Sequence, residues 1–212
     1  VLEIILKSVA SYLLGSIVGG LLLGRLRGVD IRALGSGNAG STNALRTQGM
    51  AFALGVLLID LGKGWVATRI LAPLAVTSVH QSNVDAWLPA ACGGAVMLGH
   101  VYPIWYGFRG GKAVATLIGA VLGIAPRLLL PMLVGWCLVA VLTGFVGLAS
   151  ISAAAMLALS AFWARLPPPL TAFACFAAAL ILFTHRRNIA RMRAGVEPRA
   201  RHLWLLGRRV AP

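Results

Sequence analysis

Apolar windows of roughly 15 to 25 residues, each about the length that crosses a ~30 Å hydrocarbon core as a helix, recur along this chain with few charged residues inside them. They fall at about 2–24, 51–78, 87–106, 113–126, 128–149, 151–164 and 168–184. Only 11% of the 212 residues are charged and 59% are hydrophobic, whereas a soluble domain carries about 25% charged residues. With less than half of that polar content the chain cannot keep such windows in water. The expected fold is an all-α integral membrane protein of about seven transmembrane helices, or five if the short windows 113–126 and 151–164 only dip into the bilayer. Lys7 inside the first window, the length of that window and the absence of a following A-x-A site lead us to expect a retained helix and not a cleaved signal.

The charge balance fixes an orientation. Nineteen Lys and Arg stand against five acids, a net charge of +14, and cationic loops stay on the cytoplasmic side. With the amino terminus outside and the carboxy terminus inside, the inner segments hold Arg25, Arg27, Arg32 and Arg46, then Arg109 and Lys112, then Arg186, Arg187, Arg191, Arg193, Arg199, Arg201, Arg208 and Arg209. That is 14 of the 19 cations. The basic residues lie between and after apolar runs and do not coat one face of a polar domain, so anionic headgroups and phosphorylated metabolites fit them and nucleic acid does not. Cys92, Cys137 and Cys175 each sit inside an apolar run with no C-x-x-C spacing, which reads as three buried thiols. With no internal repeat and no linker, residues 1–212 are expected to form a single domain, with 185–212 a basic cytoplasmic tail. Leu203, Trp204, Leu205 and Leu206 in that tail suit the inner leaflet.

Two inner loops suit phosphate. Gly35-Ser36-Gly37-Asn38-Ala39-Gly40-Ser41-Thr42-Asn43, with Arg46 following, combines glycine backbone that can turn amides toward an anion with hydroxyls, side-chain amides and a guanidinium. In the second, Arg109-Gly110-Gly111-Lys112 sets bare backbone between two cations. It is not a P-loop, because Ala113 stands where a Ser or Thr would hold Mg²⁺. His100, at a helix end before Tyr102-Pro103, is either catalytic or a packed histidine. Asp60 and Lys63 lie three apart on one helix face; an intramembrane charge costs about 2.5 to 3.5 kcal/mol on insertion scales, so they form either a structural pair or a substrate contact. His185 and Asn188, again three apart where the last span ends, can aim at one point. His80 to Asp85 matches H-x4-D, a base and its orienting acid in glycerolipid acyltransferases with soluble donors, but this loop is expected outside, away from every phosphate candidate, and is set aside.

Taken together, Tyr12-Leu13-Leu14-Gly15-Ser16-Ile17, Gly35 to Asn43 with Arg46, Asp60-Leu61-Gly62-Lys63-Gly64, Gly99-His100 with Tyr102-Pro103, Phe108 to Lys112, Leu148 to Ile151 and His185-Arg186 with Asn188-Ile189 resemble the PlsY family of bacterial integral-membrane acyltransferases. The resemblance implies seven spans in the inner membrane, an active site on the cytoplasmic side, and transfer of an acyl group from acyl phosphate to glycerol 3-phosphate; we expect a monomer without cofactor, and no metal, because no cluster of carboxylates or His/Cys has ligand spacing on the inner side. It implies Ser36, Arg46, Lys112, His185 and Asn188 as catalytic residues. Asn38, Thr42, Asn43, Lys63 and Ser150 are implied as supporting positions, and the reading of the two loops adds Gly37, Gly40, Arg109, Gly110 and Gly111 as substrate- or phosphate-binding positions. The chain departs from the family pattern at Val18, where Pro is usual, and at Gly144-Phe145-Val146-Gly147, which lacks the usual cation and serine.

Both implied substrates carry phosphate, which matches the cationic glycine loops. Acyl phosphate is a mixed anhydride with a good leaving group, so the protein has to hold the glycerol hydroxyl near the carbonyl carbon, stabilise the oxyanion and accept phosphate. We expect direct attack, with His185 or a substrate phosphate oxygen taking the proton. An anion or phosphate-ester transporter is the alternative, since basic glycine loops also line permeation paths.

Overall fold

The computed structural model describes residues 2–74, 82–201 and 203–205. Among them the secondary structure is entirely helical. Ten α-helices follow in order: α1 Leu2–Gly15, α2 Gly19–Leu26, α3 Ser41–Gln48, α4 Met50–Val66, α5 Ser82–Val101, α6 Val114–Ile124, α7 Leu129–Thr143, α8 Val146–Trp163, α9 Pro168–Thr184 and α10 Arg186–Arg193. Three stretches, Met50–Leu71, Pro126–Thr143 and Val146–Trp163, are long and apolar enough to cross a membrane, and up to five if α1 with α2 (bent 45°) and α9 with α10 (bent 50°) each count as one span. The window at 113–126 becomes an 11-residue helix. The windows at 128–149 and 151–164 divide earlier than hydropathy suggests, at Gly144, whose φ of +73° ends α7 in a left-handed turn.

The described residues fall into two compact units that divide after Pro126. In the first, α1 packs on α5 and α4 on α6. Each seam is made by reciprocal glycines. A methyl group on Gly15 would overlap the carbonyl of Val96, and one on Gly99 the carbonyl of Tyr12. Gly64 meets Thr116 and Gly119 meets Leu61 in the same way. Lipid supplies no hydrophobic drive between helices, so close backbone approach over small residues is what holds them. Beyond Val66, α4 runs on through one wide π turn, Ala67–Leu71. Its end is fastened by the buried Lys7, which pairs with Glu3 at 2.7 Å and donates to the Ala72 carbonyl at 2.7 Å. An apolar cluster of Val18, Leu21, Ile31, Ala39, Ala44, Phe52 and Val56 seats the loop between α2 and α4 on both helices.

In the second unit α7 and α8 form a hairpin and α9 packs on α8. Leu130, Leu133, Val134, Leu138 and Leu142 leave α7 with an outward apolar face, as a lipid-facing helix has. The tail returns to the α7–α8 turn: Ala200 N–H donates to the Gly144 carbonyl at 2.8 Å and Trp204 Nε1 to the Leu142 carbonyl at 3.2 Å. The sequence suggests a leaflet for Trp204; the protein gives it a carbonyl of its own chain. Leu206 lies outside the described residues.

Candidate active site

The first glycine loop is built around Asn43. From the first turn of α3 its side chain reaches back, Nδ2 donating to the carbonyls of Ile31 and Leu34 at 3.0 Å each. Its Oδ1 accepts from Ser36 N–H at 2.8 Å and Ser36 Oγ at 3.1 Å. These bonds fill the amide's donors and both lone pairs, and the side chain is buried. Asn43 therefore shapes the loop and does not present a group to a ligand. Gly35 and Gly37 have φ of +56° and +73°; at Gly35 a methyl would also strike Asn43 Oδ1. The result exposes Ser36, Gly37 and Thr42 at the surface with Arg46 one turn along α3. Asn38 and Gly40 are half-buried there. The first turn of α3 has no side-chain cap, and helix N-terminal amides suit phosphate.

Arg32, counted from the sequence only as a topological charge, proves to be the staple between the two glycine loops. Its guanidinium pairs with Asp30 at 2.8 Å and donates to the carbonyls of Tyr106 at 3.2 Å and Arg109 at 2.8 Å. Asp30 also accepts from Arg32 N–H at 2.9 Å. The side-chain hydrogen bonds from Arg32 hold the Asp30 carboxyl below its ordinary range and raise the guanidinium in turn. The D-x-R spacing was the available signal.

In the second loop, Gly110 and Gly111 do not offer their amides outward. Gly110 N–H donates to the Val101 carbonyl at 3.0 Å and Gly111 N–H to the His100 carbonyl at 3.1 Å. A methyl on Gly110 would overlap that same carbonyl, and one on Gly111 the His100 ring at Nε2. The glycines are small because His100 lies beneath them. Arg109 is exposed and Lys112 half-buried, each beside this packed backbone.

His100 belongs to a buried charge cluster. Lys63 Nζ lies 3.0 Å from Asp60 Oδ1, 2.8 Å from the Gly15 carbonyl, 2.9 Å from the Ile17 carbonyl and 2.8 Å from His100 Nδ1. Asp60 Oδ1 also accepts from Gly19 N–H at 3.0 Å. His100 Nδ1 also lies 3.4 Å from Asp60 Oδ1, so this ring nitrogen stands between an ammonium that only donates and a carboxylate that only accepts. The cluster occupies the break between α1 and α2, the cation on the carbonyl end of one and the carboxylate on the amide end of the other, as both helix dipoles require. Of the two roles open to Asp60 and Lys63, the structural pair is the one this geometry builds. Lys63 is turned inward, with its three protons shared among four neighbours. Ser16 Oγ accepts from Ile104 N–H at 3.3 Å and Tyr12 OH donates to the Tyr102 carbonyl at 2.7 Å, tying the same break to the second loop.

The other candidates belong to the second unit. His185 is the buried corner between α9 and α10, and its Nδ1 donates to the Ile181 carbonyl at 2.8 Å; a carbonyl can only accept, so in the neutral ring Nε2 is the basic nitrogen. Asn188, one turn on, donates through Nδ2 to Glu197 Oε1 at 2.6 Å. Ser150 is buried on α8, its hydroxyl donating to the Val146 carbonyl at 2.9 Å. Glu197 is a residue that sequence reasoning passed over. A lone acid in an arginine-rich tail was the only mark it carried. His80 of the H-x4-D match lies outside the described residues.

The family model for glycerol-3-phosphate acyltransferase matches residues 5–195. The glycerol-3-phosphate acyltransferase of Geobacter sulfurreducens is 42% identical over 197 residues, covering 93% of this chain and 97% of that protein. That of Aquifex aeolicus is 38% identical, covering 89% and 95%. Among solved structures, the integral membrane glycerol 3-phosphate acyltransferase PlsY in its glycerol 3-phosphate form is 38% identical and superposes with a TM-score of 0.82 over 92% of this chain and 94% of that one. Its lysophosphatidic acid form gives 0.81 at 35% identity. These matches run over nearly the full length, and the chain belongs to the glycerol-3-phosphate acyltransferase family.

Proposed function

We propose that this protein moves a fatty acyl group from acyl phosphate to glycerol 3-phosphate, giving 1-acyl-glycerol 3-phosphate and inorganic phosphate for phospholipid synthesis. The observation that carries this reading is the Asn43-built loop, which sets Ser36, Thr42 and Arg46 on an exposed, glycine-formed surface at the start of a helix. Arg46 and Lys112, aided by Arg109, hold phosphate; Thr42 donates to it, and Ser36 does so by turning its hydroxyl away from Asn43 Oδ1; Lys63 acts from behind, as the pin that fixes the loop scaffold. The hydroxyl oxygen of glycerol 3-phosphate attacks the acyl carbonyl carbon, the bond from that carbon to the phosphate oxygen breaks, and phosphate departs with the electron pair. The hydroxyl proton goes to His185 Nε2 or to a substrate phosphate oxygen. Ser36 Oγ faces an amide oxygen, which cannot take its proton, and this supports direct attack over an acyl-serine. Asn188 and Ser150 are the further polar groups assigned to the reaction.

The same reading places the chain in the bacterial inner membrane as seven spans, amino terminus outside and carboxy terminus inside, a single functional domain working as a monomer with its chemistry at the cytoplasmic face. The distribution of arginine supports that orientation.

Purified protein given acyl phosphate and no divalent metal is expected to release inorganic phosphate only when glycerol 3-phosphate is present, with sequential kinetics and no turnover of acyl-CoA. Arg46→Ala and Lys112→Ala each lower kcat/KM by two orders of magnitude or more, about 3 kcal/mol. Turnover of acyl-CoA would remove the donor assignment. Parallel double-reciprocal lines with an acylated serine would remove direct attack, and uptake of phosphate ester without hydrolysis would favour a transporter.

A further inference from the structure

At the α7–α8 turn the chain has glycine at 144, where a cation is usual, and at 147, where serine is usual. Both places are filled from the end of the chain. A methyl group on Gly147 would come within 3.0 to 3.1 Å of Nδ2, Cβ and Cγ of Asn188. One on Gly144 would come within 3.0 to 3.2 Å of Trp204 Cβ and Cγ and of Arg199 Cβ. Residue 144 therefore carries no charge of its own, and the volume beside it belongs to an arginine of the tail.

The path of the tail explains how Arg199 arrives there. After α10 the backbone reverses at Gly195, φ +72°, with Val196 N–H donating to the Arg191 carbonyl at 2.9 Å. Ala200 and Leu205 N–H then donate to the carbonyls of Gly144 and Val141 at 2.8 and 3.2 Å. Arg199, between the reversal and this anchor, lies with its guanidinium carbon 4.5 Å from the centre of the Phe145 ring and 4.1 Å from that of Trp204. Two ring faces attract the cation and leave the N–H donors at the edge of its plane. The side chain is exposed, and among the described residues no hydrogen bond or ion pair uses those donors. Glu197, the one acid after Asp85, has both oxygens engaged, by Asn188 Nδ2 and Arg191 Nε at 2.6 Å each. The charge of Arg199 is thus fixed in place and not neutralised.

We propose that Arg199 is an anion-binding residue, its stacked guanidinium taking a phosphoryl group at the α7–α8 turn and supplying from the tail the charge that residue 144 lacks. A guanidinium edge offers paired N–H groups that match two oxygens of one phosphoryl group. Held by the rings beforehand, it has less freedom to lose on binding. Two sources present this chemistry: the phosphate of glycerol 3-phosphate or acyl phosphate, and the headgroup of an anionic lipid. Where the anion is a substrate, the assignment rests on the proposed function. An arginine that only pinned the tail would affect melting and no anion.

The test compares the purified full-length protein with Arg199→Met, which keeps an apolar stem against the rings, and Arg199→Gln, which keeps a planar head. Whichever neutral variant folds is scored. In detergent, melting is followed against inorganic phosphate and glycerol 3-phosphate, and KM is measured for both substrates. Loss of a charge-assisted bond weakens binding about tenfold or more. A rise of that size in the half-saturating concentration of either probe, or in KM for either substrate, assigns Arg199 to a substrate phosphate. In nanodiscs, melting raised by phosphatidylglycerol over phosphatidylcholine in the parent, and no longer in the variant, assigns it to a headgroup. A variant that responds to phosphate, glycerol 3-phosphate and phosphatidylglycerol as the parent does, with parental KM values, overturns the proposal whatever its own melting temperature. A parent that binds these anions through Arg199 without transferring an acyl group would keep the anion site and remove the proposed function.

Discussion

At the break between α1 and α2, Asp60, Lys63 and His100 are buried, and the Lys63 ammonium, Asp60 Oδ1 and His100 Nδ1 are held by one another and by backbone of the broken helix. The loop from Gly35 to Arg46 draws on the same kinds of group and is organised the opposite way. One residue, Asn43, is buried and fully bonded so that Ser36, Thr42 and Arg46 can stay exposed. The contrast separates two uses of polarity in a membrane protein. Charge inside the helices holds a broken helix in register, where an unpaired group would be costly. Charge on the loop stands where a phosphate can reach it. Sequence spacing alone does not tell these apart, because Lys63 and Arg46 are each a single cation on a helix until their surroundings are known.

Removing Asp60 should produce the largest effect. Asp60→Ala leaves Lys63 buried beside carbonyls with its charge uncompensated and Gly19 N–H without its acceptor, a loss of about 3–5 kcal/mol. The expected outcome is a marked fall in the melting temperature of the purified protein, or failure to recover it folded. If this variant melts with the parent, the cluster is not a pin and its side of the contrast collapses.

Asn43→Ala should act on function more than on folding. It strands the carbonyls of Ile31 and Leu34 and frees Ser36, a cost of about 1–3 kcal/mol confined to one surface loop. Melting should change little, while KM for glycerol 3-phosphate rises at least several-fold. A drop in melting comparable with that of Asp60→Ala, at unchanged KM, would show the loop to be as structural as the cluster.

The smallest effect is expected at Asp30. Its carboxyl is held below the ordinary 3.8 by hydrogen bonds from Arg32, so the pair contributes stability above that pH and loses it as pH falls through the lower folded value. The carboxylate side chain is 49% exposed, which limits the contribution to less than about 1 kcal/mol. Asp30→Asn should melt slightly lower than the parent at pH 7, less so in high salt, and the difference should shrink as the pH falls below 3.8 and through the lower folded value. A difference that persists or grows in acid would mean that the Arg32 staple does not depend on the charge of Asp30.

What could be read in advance was whatever depends on composition and short spacing: the apolar windows, the glycine loops and the Asp60–Lys63 pairing. What could not be read depends on chain segments meeting. Nothing in Gly15-Ser16-Ile17-Val18 stops a helix, since Val18 stands where a proline would have announced the break; the interruption is held by Asp60 and Lys63, more than 40 residues away in sequence. Gly144 was hidden inside an apolar window because hydropathy does not sense a left-handed φ. Gly110 and Gly111 were expected to give amides to phosphate, and only the position of His100 beneath them explains why those amides point back to the chain. Glu197 looked like one stray acid in a cationic tail until the turn at Gly195 delivered it to Asn188.

The reciprocal glycines between α4 and α6 bear on how the protein is made. A helix of 11 residues covers about 16 Å at 1.5 Å per residue, roughly half of the ~30 Å hydrocarbon core. Its ends would leave backbone groups in lipid if it entered the bilayer alone. Gly64 and Gly119 bring α6 against a helix that is itself long enough to cross, so α6 takes its place from α4. Synthesis supplies the two in the workable order, the long helix first. The short helix is then a late arrival, seated on α4 through a seam that has no room for even one methyl group.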